Sequence, residues 1–158
     1  MRSLLSHVPD TNRSLLLFVI FVDYCCFNED GFSGLPMALL YEDEFVSVNE
    51  CAVQIKNYHF PSKKVKSIPI EVIRVLWFEE QETCKCSTKI WGKSPDAVYW
   101  ALDVKRCIPS VTRDKFNVVL DVGQKVRPGF TVTDGGEFME AMRAVLDYHV
   151  IIVDTINL

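Results

Sequence analysis

Residues 53–78, VQIKNYHFPSKKVKSIPIEVIRVLWF, decide the fold of this chain, because they contain three consecutive β-strand patterns. Apolar and polar residues alternate over residues 53–56, which is the two-residue period of a half-buried strand. Tyr58 and Phe60 continue the β pattern with the opposite parity. We therefore predict a bulge, or an exit of the chain from the sheet, near Asn57.

A turn and two further strands follow in the same stretch. Residues 61–63, Pro-Ser-Lys, favour a turn, because proline presets φ and has no N–H to donate to a strand ladder. Residues 65–68 predict a short return strand that ends at the next proline. In the third strand, Ile73, Val75 and Trp77 are expected to line one face. The whole stretch predicts a small antiparallel β domain.

Composition places the chain among ordinary globular proteins. Its 158 residues are 49% hydrophobic and 24% charged, which fits one domain with a core of its own. A net charge of −4 argues against a nucleic-acid partner, although a local basic patch still acts through its own field. The six cysteines include no C-x-x-C pair. We therefore expect reduced thiols in a cytoplasmic protein, with no metal and no cofactor.

Residues 1–36 lack the strand pattern and form an N-terminal extension. Their apolar run, residues 15–22, is too short for a transmembrane span, which needs about 20 residues. Three alternatives stay open for this extension. It is a poorly ordered segment ahead of a natural start at Met37, a strand or apolar lid packed on the domain, or a secretion signal, for which a small-residue cleavage site is missing.

The remaining chain predicts more strands and one helix. The predicted strands are residues 45–48, 85–91 and 98–104, with a turn at 92–96, and a terminal hairpin of residues 117–122 and 125–132.

The helix is predicted to begin after Asp134, which caps it together with Glu137 at the third helical position. Its apolar stripe consists of Phe138, Ala141, Met142, Val145 and Leu146. Because a lone amphipathic helix must bury its stripe on a sheet, we expect it to plug an open end of a β-barrel. The apolar tail, residues 150–158, fits a helix extension, a strand or a frayed end.

This order of elements resembles the pleckstrin-homology (PH) superfold, and in detail the short PH-like proteins common in bacteria. The resemblance covers residues 37–146. It rests on YEDEF at 41–45, IKNYHFP at 55–61, IPI at 68–70 with Ile73, IWG at 90–92, Trp100 with Leu102-Asp103, and VRPGFT at 126–131. It implies a mainly β protein: an antiparallel barrel or sandwich of about seven strands with one C-terminal α-helix, in a domain spanning residues 37–149. It implies no established activity.

Four lysines fall within eleven residues that contain no acid, namely Lys56, Lys63, Lys64 and Lys66. Lysine binds phosphate as a flexible point charge, and each lysine near an anionic surface contributes on the order of 1 kcal/mol. Phosphoinositide-binding PH domains carry a similar basic spacing on their first two strands. The resemblance thus implies a ligand-binding site for anionic phospholipid headgroups or inositol phosphates, formed by these lysines with Tyr58. Tyr58 and Phe60 are expected beside the lysines at the membrane interface. The alternative is that the lysines protect an exposed strand edge.

The other candidate residues favour structural roles. The three tryptophans, Trp77, Trp91 and Trp100, lie in strand-like stretches and are expected in the core. Asp103 and Arg106 are expected to form a structural ion pair.

Catalysis finds no support in the sequence. Cys84 and Cys86 share a strand face but lack a third metal ligand nearby, and His59 and His149 are isolated. Because there is no phosphate-binding loop and no catalytic motif, we expect a non-catalytic binding module and no enzyme. Its partner is an anionic membrane, or a protein bound through an open sheet edge and the apolar tail. We expect a cytoplasmic or peripheral membrane protein, with secretion as the minor alternative.

Overall fold

A computed structural model describes residues 38–81, 88–108 and 115–158. Within these ranges it contains ten strands, one α-helix and one 3₁₀ turn. The strands are β1 Leu39–Glu42, β2 Val46–Asn49, β3 Ala52–His59, β4 Lys64–Pro69, β5 Val75–Glu80, β6 Gly92–Lys93, β7 Val98–Trp100, β8 Phe116–Asp121, β9 Arg127–Val132 and β10 Ile151–Val153. The 3₁₀ turn is Ile70–Val72, and the helix α1 is Gly135–Val145.

The first sheet is an antiparallel meander in the order β1-β2-β3-β4. Asn49 stabilises the β2–β3 turn. Its Oδ1 accepts hydrogen bonds from the backbone N–H groups of Cys51 and Ala52. The predicted bulge in β3 is confirmed, because the register with β4 shifts and Asn57 has a φ of +52°. The predicted turn at 61–63 and the return strand are confirmed as well.

The second sheet has the order β10-β5-β8-β9-β7-β6. Strand β10 pairs with β5 and β7 pairs with β9 in parallel, and the other neighbours are antiparallel. The predicted terminal hairpin is confirmed as β8 and β9. The strand alternative for the tail is confirmed at Ile151–Val153.

Four predictions about strands and turns need correction. The strand predicted over 98–104 ends at Trp100, and Gly92–Lys93 forms β6 where a turn was expected. Residues 85–87 of the strand predicted over 85–91 lie outside the described residues, and residues 88–91 are not a strand. On β5, Leu76 enters the main core, whereas Trp77 belongs to a second cluster on the opposite face. The alternation of residues along β5 predicted its two faces, but it did not predict which face packs against the larger core.

The main core is shared by the two sheets and the helix. It contains, among others, Val46, Val48, Val53, Ile55 and Ile68 of the first sheet, Leu76, Val118, Leu120, Phe130 and Val132 of the second, and Phe138, Ala141 and Met142 of α1. The described part of the chain is therefore mainly β, with one helix towards its C-terminal end. The described residues form two sheets with ten strands and no closed barrel, so the barrel alternative is wrong and a sandwich of about seven strands is not confirmed. The prediction of purely antiparallel pairing is also wrong, because β10–β5 and β7–β9 are parallel.

Helix α1 begins as predicted, because Asp134 Oδ1 accepts a hydrogen bond of 2.9 Å from the Glu137 N–H. Phe138 packs edge-on against Tyr41 of β1, with ring centroids 5.5 Å apart, and against Phe130 of β9 at 6.0 Å. The helix thus covers the core beside both sheets instead of plugging a barrel. Within the described ranges, no helix combines the length and apolar character needed to cross a membrane.

Candidate functional site

Lys56 is engaged in local structure. Its Nζ donates to Glu42 Oε1 at 2.6 Å and to the Asp43 carbonyl at 2.7 Å, so its charge is paired. Its neighbour Ile55 is buried in the core, and successive strand residues point to opposite faces. Lys66 lies opposite Ile55 in the β3–β4 pairing and therefore shares the face of Ile55. The structure thus separates Lys56 from Lys66.

Lys66 is supported by Tyr58. Its Nζ lies 5.1 Å from the centroid of the Tyr58 ring, a cation–π distance. Tyr58 itself is only 4% exposed and packs on Tyr99 with ring centroids 4.9 Å apart. Burial, with a smaller effect of Tyr99, raises the pKa of the Tyr58 hydroxyl well above its usual value. The buried Tyr58 ring thus positions the Lys66 ammonium group through a cation–π contact.

Lys63 and Lys64 are exposed at the β3–β4 turn. Lys63 has a φ of +55°, and Lys64 pairs with His59 across the hairpin. The ring of His59 contacts Tyr58 edge-on at 4.9 Å. Of the four predicted lysines, the structure places Lys63 in the β3–β4 turn and Lys64 and Lys66 on β4.

Trp91 corrects the prediction that all three tryptophans are buried. Trp100 is 1% exposed and Trp77 half-buried beside it, whereas Trp91 is 41% exposed. The difference arises because residues 88–91 leave the sheet, so that strand alternation does not apply to Trp91. Its ring contacts Phe60, which is 43% exposed, with centroids 5.3 Å apart and an interplanar angle of 68°.

The contact between these two rings joins two basic segments. Residues 59–68 contribute Lys63, Lys64 and Lys66, residues 88–95 contribute Lys89 and Lys93, and neither segment contains an acid. Lys89 and Lys93 are exposed, and Lys89 Nζ donates to the Lys93 carbonyl at 2.7 Å. We call Phe60, Trp91 and these five lysines the aromatic–lysine patch. Sequence reasoning missed its second half, because only the tertiary ring contact brings the two segments together.

A buried arginine, Arg106, holds residues 88–95, which we call the Trp91 segment, in place. Arg106, 2% exposed, donates from one terminal nitrogen to the carbonyls of Lys89 at 2.6 Å and Ala101 at 3.0 Å. Its guanidinium carbon lies 4.7 Å from the Trp100 ring centroid. The Asp103 N–H donates to the Ile90 carbonyl at 2.9 Å. The backbone on the N-terminal side of Trp91 is therefore fixed by hydrogen bonds.

Asp103 and Arg106 are connected through Thr131 of β9. Arg106 donates to Thr131 Oγ1 at 2.8 Å, and this hydroxyl donates to Asp103 Oδ2 at 2.8 Å. Gln81 Nε2 also donates to Thr131 Oγ1 at 3.0 Å, and to Asn117 Oδ1 at 2.9 Å. All five side chains are buried. This network anchors the loop after β7, and with it the Trp91 segment, to the second sheet.

The remaining candidates from the sequence are the cysteines Cys84 and Cys86 and the histidine His149. No group of three metal-ligating side chains occurs in the part of the chain that the structure describes, and Cys84 and Cys86 lie outside it. His149 Nδ1 lies 2.7 Å from Asp147 Oδ1 at the exposed end of α1.

Strands β4 and β10 lie at sheet edges, which bears on two alternatives: edge protection by the lysines, and binding of a protein strand. Strand β4, which carries Lys64 and Lys66, lies at an edge of the first sheet, as edge protection by lysine requires. Strand β10 lies at an edge of the second sheet, where Ile151 is 60% and Ile152 40% exposed. The two edges therefore differ, one basic and one apolar.

No protein-family model matches the chain, and comparisons with curated proteins and with solved structures found no similar chain. The PH-like resemblance therefore stays a prediction from motifs and layout.

Proposed function

We propose that this protein is a non-catalytic, PH-like binding module that recognises phosphate-bearing anions, lipid headgroups or inositol phosphates, through the aromatic–lysine patch. The observation that carries the proposal is the Phe60–Trp91 ring contact, which joins two acid-free segments that carry five lysines, in a protein whose net charge is −4. Such a local excess of positive charge attracts anions although the whole chain is acidic.

The layout supports the PH-like part of the proposal. A four-stranded antiparallel meander and a second sheet share one core, and a C-terminal helix packs on that core. These features support the proposal, whereas the ten strands and the two parallel strand pairs differ from the antiparallel arrangement of about seven strands that the resemblance implies. The setting that we propose is the cytoplasmic face of a membrane.

The proposed binding is weak and depends on salt. At about 1 kcal/mol per lysine near an anionic surface, the five lysines supply about 5 kcal/mol at most. Salt screens exposed charges over a Debye length of about 8 Å at physiological ionic strength. We therefore expect binding that is clear at low salt and much reduced at physiological salt.

The test is cosedimentation of the full chain with phosphoinositide-containing vesicles at low salt. Lys63→Glu/Lys64→Glu exchanges two attractive charges for two repulsive ones, a loss of about 4 kcal/mol, or about a thousandfold in affinity. The control is Lys125→Glu/Arg143→Glu, at exposed positions in the β8–β9 turn and on α1. Both variants lower the net charge from −4 by four units, to −8. Equal losses in the two variants would contradict a local site.

The apolar edge at β10 supports a second candidate function, binding of a protein strand by β-augmentation. The exposed side chains of Ile151 and Ile152 are the observation that favours it. Ile151→Lys would then reduce self-association or partner capture, measured by analytical ultracentrifugation and pull-down. A monomeric wild-type protein with no captured strand would argue against this candidate.

A further inference from the structure

The aromatic–lysine patch exposes two aromatic rings, Phe60 and Trp91, in addition to its lysines. Phe60 follows β3 directly and Trp91 precedes β6 directly, and both remain about two-fifths exposed although they contact each other. The other tryptophans of the chain pack in the second cluster, so exposure is specific to Trp91. Contiguous exposed apolar surface that is rimmed by polar residues, as these rings are flanked by lysines in sequence, is a feature of interaction sites.

We infer that Phe60 and Trp91 insert together into the interfacial region of a lipid bilayer, so that the ligand of the patch is a membrane surface and not a free inositol phosphate. This inference rests on the proposed function and names the source of its phosphate groups. Tryptophan is enriched at membrane interfaces, because its ring is apolar and its indole N–H is polar. Lysines beside inserted rings extend their ammonium groups to headgroup phosphates.

The positive charge of the aromatic–lysine patch decides between two candidate partners, a membrane and a second copy of the chain. Two copies meeting at this patch would bring two sets of five lysines face to face, because a symmetric dimer uses the same surface twice. Like charges in such a contact repel each other. An anionic bilayer instead neutralises the lysines and buries the rings. Charge complementarity thus favours the membrane.

The rings are positioned before binding. The Trp91 segment is fixed by Arg106 at the Lys89 carbonyl and by Asp103 at the Ile90 carbonyl. Phe60 is joined to β3, whose Tyr58 is buried in the core. Little conformational freedom remains to be lost on insertion, which favours affinity. We expect removal of either ring to weaken vesicle binding about tenfold or more.

Trp91 fluorescence tests the inference directly in the full chain. Anionic vesicles that contain brominated phospholipid are expected to quench Trp91, and anionic vesicles without bromine to shift its emission to the blue. Trp91→Phe keeps an apolar ring and removes the reporter, so it gives the background from Trp77 and Trp100. Inositol hexakisphosphate in place of vesicles is expected to produce no blue shift.

The outcomes separate this inference from the proposed function. Salt-sensitive cosedimentation without Trp91 quenching would overturn insertion and leave phosphate recognition standing. Quenching on uncharged vesicles with no preference for anionic ones would support insertion and overturn recognition by the lysines. A blue shift that rises with protein concentration in the absence of lipid, with dimers in the ultracentrifuge, would show that a second copy covers the rings, and would overturn the inference.

Discussion

Thr131→Val should destabilise the protein by about 2–3 kcal/mol, although valine has almost the shape of threonine. The hydroxyl accepts hydrogen bonds from Gln81 and Arg106 and donates one to Asp103, and all of these groups are buried. Loss of a partner by a buried polar group costs about 1–3 kcal/mol. Each of the three groups keeps another partner, so we take about 1 kcal/mol for each bond and subtract less than 1 kcal/mol for the added methyl group.

The matched control is Thr131→Ser, which keeps the hydroxyl and loses a methyl group. It should cost about 1 kcal/mol, the usual effect of one buried methyl. Urea unfolding followed by circular dichroism gives both free energies, and equal m-values would validate the comparison. A Thr131→Val protein that is as stable as Thr131→Ser would refute the view that the hydroxyl organises this network.

Two further predictions concern packing and pH. Gly129→Ala would place a Cβ 2.6 Å from Val98 Cγ1 and 2.8 Å from Trp100 Cε3, so thermal unfolding should show a loss of about 1–3 kcal/mol, and an unchanged melting temperature would contradict this close approach. Because burial raises the pKa of Tyr58 in the folded state, its contribution to stability is complete below pH about 10 and is lost as the pH rises further, by up to about 1.4 kcal/mol per pH unit. Urea unfolding should therefore show a steeper fall above pH 10 for the wild type than for Tyr58→Phe, and parallel curves would argue against it.

Local patterns predicted the parts of the fold that depend on neighbouring residues. The parity change at Asn57 marked the bulge, and Asp134 marked the start of α1. The turn at residues 61–63 marked the β3–β4 hairpin. These features follow from backbone preferences and capping, which act within a few residues.

Features that depend on contacts between distant segments were not predictable. Phe60 and Trp91 are far apart in the chain, and only the folded structure brings their rings together. The pairing of Lys56 with Glu42 likewise required β1 and β3 to be placed on the two sides of β2. The candidate site therefore changed more than the fold did: it lost Lys56 and gained a second segment.

The measurement that tests the central claim most directly is the fraction of full-length wild-type protein that sediments with vesicles, as salt and the content of anionic lipid are varied. The account predicts binding that rises with phosphoinositide content and falls steeply between low and physiological salt. Background sedimentation on phosphoinositide vesicles at low salt would contradict it, as would binding that salt leaves unchanged.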